Sequence, residues 1–157
     1  VNRGSLDGVA LNMPVVTDGG LVGRITAVSP LTSQIDLITR DKSGLGAVIG
    51  QIGESNALGV VSGTSKKDLL EMKYVPGNID VKVGQSVFTS GQDGIFPPGL
   101  KVGEIVSSVQ GSATTPHQIL IRPASKLSSM QEVGILLYEP IPKTDFEQKL
   151  PNAVKTK

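Results

Sequence analysis

The sequence predicts an all-β fold of two small antiparallel β-barrels, each of about six strands, with at most short helical turns. Three observations carry this expectation. Nineteen Gly and ten Pro among 157 residues fall singly between short apolar runs, as turn residues do. The runs themselves are short and follow the two-residue period of strands. One stretch of the chain also returns in diverged form, which suits two related small β-units in a single chain.

The strands follow in order. Residues 14–17 (Pro-Val-Val-Thr) are β-branched and stop at Asp18-Gly19-Gly20, after which 21–28 alternates from Leu21 to Val28. Strands are expected next at 34–39, 47–52 and 58–62, with Gly or Asp in the gaps between them. The runs at 69–75, 86–89, 101–109, 118–122 and 133–138 complete the set. Only 124–130, after Arg122-Pro123, reads as a helical turn. The last residues, 141–157, carry Pro142, Pro151 and several Lys without an apolar period, and a flexible C-terminal tail is expected there.

The repeat aligns Gly8-Val9-Ala10-Leu11-Asn12-Met13-Pro14-Val15-Val16-Thr17 with Asp80-Val81-Lys82-Val83-Gly84-Gln85-Ser86-Val87-Phe88-Thr89. Beyond each Thr comes a glycine turn, and then Gly20 to Ile25 matches Gly99 to Ile105 with one residue inserted. A double-barrel core is therefore expected over 1–140. Its barrels are either sequential or interleaved; the interleaved division, roughly 1–40 plus 115–140 against 41–114, is favoured.

Composition excludes several classes of function. A net charge of +1, from 15 basic and 14 acidic residues, leaves no electrostatic footprint for nucleic acid or an anionic membrane surface. Aromatics at 3% offer few stacking platforms for bases or sugars. With no Cys there are neither disulfides nor thiolate metal sites. No apolar run approaches the ~20 residues of a membrane span. The chain opens on Val1-Asn2-Arg3-Gly4 without Met, from which a longer upstream part carrying any anchor is expected.

Catalytic and metal chemistry find little support. His117 is the single histidine and has no Asp or Glu within five positions, and neither H-E-x-x-H nor a Cys pair occurs. Two small barrels also describe trypsin-like hydrolases, yet Asp41-Lys42-Ser43-Gly44 and Val61-Ser62-Gly63 lack the nucleophile turn of that chemistry. Gly44-Leu45-Gly46 and the glycines near Gly91 and Gly99 lead into no helix that could receive an anion, and read as hairpin glycines. No catalytic residue, cofactor or metal is expected. The most unusual segment runs from Thr89 to Leu100, where a polar glycine turn leads into Ile95-Phe96-Pro97-Pro98. Ile95 and Phe96 either plug a barrel end or stand out as a rigid apolar anchor for another protein. Ile95, Phe96, Pro97, Pro98 and Leu100 are the candidate protein-interaction residues.

Several of these strings resemble the MreC family of rod-shape-determining proteins of bacterial cell-wall elongation. The likeness runs from about Val1 to Tyr138 and is carried by Val1-Asn2-Arg3-Gly4-Ser5-Leu6-Asp7-Gly8-Val9, Gly20-Leu21-Val22-Gly23-Arg24-Ile25, Val87-Phe88-Thr89-Ser90-Gly91 and Gly94-Ile95-Phe96-Pro97-Pro98-Gly99-Leu100. Residues 50–68 match none of its motifs. The resemblance implies a non-enzymatic periplasmic scaffold, anchored by an N-terminal transmembrane helix. It also implies self-association, as dimer or filament, and binding to the elongation penicillin-binding transpeptidase, MreD and RodZ, with MreB engaged indirectly. The alternatives from other classes are an extracellular trypsin-like-barrel hydrolase and a cell-wall glycan-binding module.

Overall fold

The computed structural model describes residues 1–40, 44–51, 53–55, 57–64, 68–126 and 132–138. The expected tail at 141–157 and most of the expected helical turn at 124–130 lie outside them. Ten strands form where alternation placed them: β1 (Pro14–Val16), β2 (Leu21–Val28), β3 (Ser33–Leu37), β4 (Leu45–Ile49), β5 (Leu58–Gly63), β6 (Leu70–Lys73), β7 (Ser86–Thr89), β8 (Lys101–Val109), β9 (Gln118–Pro123) and β10 (Gly134–Ile135). The only described helix is one 3-10 turn at Ser5–Asp7, which Gly8 ends at φ 86°.

All pairings are antiparallel. Six strands close into a barrel in the order β4-β5-β6-β9-β8-β7, and the other four form a sheet in the order β10-β1-β2-β3. Two barrels were expected, and among the described residues one closes. Closure requires a neighbour on both edges of every strand, whereas among the described strands β3 pairs with β2 alone, and β10 with β1 alone. The grouping of 115–140 with 1–40 also differs from the pairing, because β9 lies between β6 and β8 in the barrel and only β10 returns to β1. Period two identifies a strand without naming its partner. Gly46, read as a hairpin glycine, sits inside β4 opposite Val60; Ser90 Oγ lies 2.8 Å from where its Cβ would be.

The repeat is visible in the backbone. The units are β1-β2-β3 and β7-β8-β9, and they carry bulges at matching places. Register shifts between Val15 and Val16 in one and between Val87 and Phe88 in the other. It shifts again between Ile25 and Ala27, and between Ile105 and Ser107. Asn12 (φ 68°) donates its N–H to Ile25 O at 2.8 Å, as Gly84 (φ 93°) does to Ile105 O at 2.8 Å. Gly23 and Gly103 face the neighbouring strand so closely that a Cβ would fall 2.0 Å from Asp36 O and 2.1 Å from Arg122 O.

Two apolar clusters follow. Barrel residues Leu45, Ala47, Ile49, Val61, Leu70, Met72, Val87, Val102, Ile105, Ile119 and Ile121 fill the interior, and Leu21 of β2 and Ile38, just after β3, belong to the same cluster. Val9, Met13, Val15, Val22 and Ile25 form a smaller cluster on the sheet. The sheet thus uses both faces, one against the barrel end and one under the chain's first residues.

Candidate protein-interaction surface

The segment after β7 is held by hydrogen bonds rather than left as an open loop. Buried Thr89 donates its Oγ1–H to Pro97 O at 2.6 Å and accepts from Leu100 N–H at 3.0 Å. Gly99 N donates to Thr89 O, and Thr89 N donates to Leu100 O. Asp93 supplies the second anchor: Oδ1 accepts from Ile95 N at 3.0 Å and Phe96 N at 3.2 Å, while Oδ2 accepts from Gly46 N at 3.0 Å. This is an Asx turn tied to β4. The backbone from 90 to 99 is therefore fixed in advance of any partner, which lowers the entropy lost on docking.

The structure divides the five candidate residues. Phe96 is only 3% exposed and belongs to the barrel cluster, beside Gly23, Arg24, Asp36, Ile38, Gly44 and Leu45, where sheet and barrel meet. Its ring plugs rather than projects. Ile95, Pro97 and Leu100 are half-buried, and Pro98 is exposed. The outward apolar edge of the loop is thus Pro97-Pro98 with the flank of Leu100.

A second apolar feature lies nearby on the barrel's outer wall. Val48 alternates with the inward Ala47 and Ile49, and is in register with Leu58 on one side and Phe88 on the other. Leu58 and Val60 are 36% and 39% exposed, and Val48 is buried between its neighbours. Sequence reasoning passed over this row. Its signal was the inversion within β5, where Gly59 and Gly63 turn inward and leave Leu58 and Val60 outside: a Cβ on Gly59 would lie 2.9 Å from Val75 Cγ2.

His117, the residue on which a hydrolase would depend, is 3% exposed and engaged on both ring nitrogens. Gly111 N–H donates to Nδ1 at 3.1 Å, which places the proton on Nε2, and Nε2–H donates to Ile79 O at 2.6 Å. The ring braces the 110–117 connection against 75–79, with both nitrogens committed to backbone atoms. Among the described residues no group of three or more His, Asp or Glu could hold a metal ion.

The fold and this surface define a class: an all-β module built on a duplicated three-strand unit, with a pre-ordered apolar loop on its surface. The family is then given directly. A family model described as the barrel core of the rod shape-determining protein MreC matches residues 1–137, and the chain belongs to the MreC family. The cell shape-determining protein MreC of Listeria monocytogenes is 32% identical over 139 residues, covering 87% of this chain and 46% of that protein. The chain thus spans under half the length of this relative. A solved Listeria MreC structure matches at a TM-score of 0.80 with 30% identity, over 90% of this chain and 69% of that one. Two further structures carry the fold alone. One is described as the major periplasmic domain of the cell shape-determining filament MreC, at TM-score 0.66 and 22% identity, covering 86% of this chain and 84% of that one. The other is a complex between penicillin-binding protein PBP2 and MreC from Helicobacter pylori, at TM-score 0.61 and 22% identity, covering 78% and 74%.

Proposed function

We propose that this chain is the extracytoplasmic core of a non-enzymatic scaffold that maintains rod shape by binding and activating the elongation penicillin-binding transpeptidase. The observation that carries the reading is its membership of the MreC family. The fold match to an MreC solved together with PBP2 supports it. The scaffold acts by differential binding: if it prefers the active conformer of the transpeptidase, that population rises and wall synthesis rises with it. The same reading includes self-association and contacts with MreD and RodZ, with MreB reached indirectly. It locates the core outside the cytoplasmic membrane, on an N-terminal transmembrane helix of the full-length protein. Among the described residues no helix is long and apolar enough to cross a membrane.

The contact is assigned to the exposed edge of the 95–100 segment, with Pro98 and Leu100 touching the partner and Phe96 holding the loop from beneath. Interferometry against the ectodomain of the same organism's elongation transpeptidase tests this. Pro98→Asp and Leu100→Asp should each weaken binding by at least ~10-fold, about 1.4 kcal/mol. Lys82→Ala, on a largely exposed ion pair with Asp80, should leave it unchanged. Binding that survives both loop substitutions would move the contact elsewhere, with the Leu58, Val48 and Phe88 row next to be altered. No binding to the transpeptidase would remove the activating role.

A further inference from the structure

Among the described residues no strand of the sheet pairs with a strand of the barrel, so the two are joined by side chains and by isolated hydrogen bonds. Strand pairing resists displacement along its whole length, whereas isolated contacts let two packed layers shift as bodies. Three contacts make the junction. At the first, Thr17 and Gly20 exchange backbone bonds across the turn between β1 and β2, and Ser125, just past the barrel strand β9, reaches over that turn. The Ser125 hydroxyl is buried and donates to Gly20 O at 2.9 Å. Its one proton is spent there, so the 2.8 Å contact between the two hydroxyls is a bond that Thr17 donates. The turn lies so close to the barrel that a Cβ on Gly20 would fall 2.4 Å from Lys101 O. At the second contact Phe96 lies beside Gly23 and Arg24 of β2, Asp36 of β3 and Leu45 of β4, and the gap left there is about 10 Å³, room for one water at most. At the third, Gly63 N donates to Arg40 O at 3.1 Å.

The duplicated unit shows the first contact to be a change of use. Thr17 and Thr89 are counterparts, and each pairs its backbone across the turn that follows, Thr17 N with Gly20 O and Thr89 N with Leu100 O. Thr89 spends its hydroxyl proton on its own loop, at Pro97 O. The turn after Thr17 holds only Asp18 and Gly19, and the hydroxyl proton goes to Ser125 instead. One threonine closes a loop within the barrel; the other clasps the sheet to it. β2 joins this clasp to Phe96, for it runs from Gly20 to Gly23 over about 10 Å of extended chain, with Leu21 between them in the barrel cluster. A shift of β2 at one contact is therefore felt at the other. On the far side of Phe96, Asp93 Oδ1 holds the amides of Ile95 and Phe96, so moving the ring works against those two bonds. Pro97 and Pro98 follow directly and form the loop's outer edge.

We propose that the 90–99 loop and the clasp of Thr17, Ser125 and Gly20 are the two ends of one conformational device. It has two settings: closed, with the clasp made and Phe96 seated, and released, with both undone. A ligand that grips Pro97 and Pro98 more tightly in one setting shifts the sheet on the barrel, and opening the clasp loosens the loop, because coupling between two sites is reciprocal. Both ends belong to this chain, and the inference does not depend on the transpeptidase reading.

Amide exchange of the chain, followed by NMR, tests the device from each end. Ser125→Ala opens the clasp and should speed exchange at Ile95 and Phe96 by at least ~10-fold. Phe96→Leu trims the ring that meets β2 and should speed exchange at Thr17 and Gly20 by a similar factor. Thr17→Val removes a hydroxyl at constant volume and repeats the first reading should Ser125→Ala fail to fold. The His117 amide is bonded to Val75 O, beyond the end of β6 away from the Gly63 contact, and should keep its rate in every variant. Acceleration confined to the substituted end would overturn the proposal, since neither contact would then feel the other. Equal acceleration of the His117 amide would overturn it as well, by showing a loss of stability throughout the chain in place of a junction that moves.

Discussion

Phe96 shows how a residue can be legible in kind and not in direction. A phenylalanine in a Gly- and Pro-rich loop must be buried by its own fold or by a partner, and the string 94–100 alone does not choose. The choice depends on Ile38 and Leu45, which no local pattern links to residue 96. With its ring buried where sheet meets barrel, Phe96→Ala should cost about 3 kcal/mol in urea unfolding, whereas Pro98→Ala should stay within ~0.5 kcal/mol. A loss below ~1 kcal/mol for Phe96→Ala would mean that the ring is not packed as described. His117 stood out in the sequence as the single histidine, but its bracing role was not legible, because Ile79 is distant in sequence and both partners offer only backbone atoms. Replacement by Leu keeps the volume and strands a buried N–H and C=O. His117→Leu should therefore destabilise by about 1–3 kcal/mol, seen as a lower denaturation midpoint with unchanged slope.

At the scale of the element, strand existence was the most legible property. Alternation and glycine punctuation located all ten strands, with ends displaced by up to three residues, as at β4, where the run 47–52 became Leu45–Ile49. The displacement arose because Gly46 was taken for punctuation, although its missing side chain serves the approach of Ser90 and Asp93. The repeat also makes an element-level prediction. Asn12 and Gly84 occupy the same left-handed position in the two units, and Asn is the non-glycine residue that best tolerates it. Gly84→Asn should cost less than about 1 kcal/mol, while Gly84→Val should cost about 2 kcal/mol or more, both measured by thermal unfolding. Equal costs would show that the units do not share this turn.

Over the whole molecule, the order of pairing was the least legible property. Nothing in residues 118–122 says that they pair with β6 and β8 rather than with β1 or β3, and among the described residues it is this pairing that closes the barrel. The pairing nevertheless has a direct consequence for cutting the chain. β4 and β6 precede residue 75 and pair with β7 and β9 beyond it, and β1 pairs with β10. Residues 1–75 and 76–157 made separately should be insoluble or unfolded, and the intact chain should melt in one transition. Two soluble halves that each melt cooperatively would contradict an interleaved division.

The partnership of β1 with β10 also sets a timetable. Val15 waits for Ile135, and Ala47 cannot be flanked on both sides until Thr89 arrives. A chain delivered end-first, from a ribosome or through a membrane pore, therefore completes neither sheet until nearly all of it has emerged. Loop closure over such separations slows folding and leaves the outer edge of β1 unpaired meanwhile. Delay is thus written into the strand order, and it keeps the polypeptide threadable for as long as threading lasts.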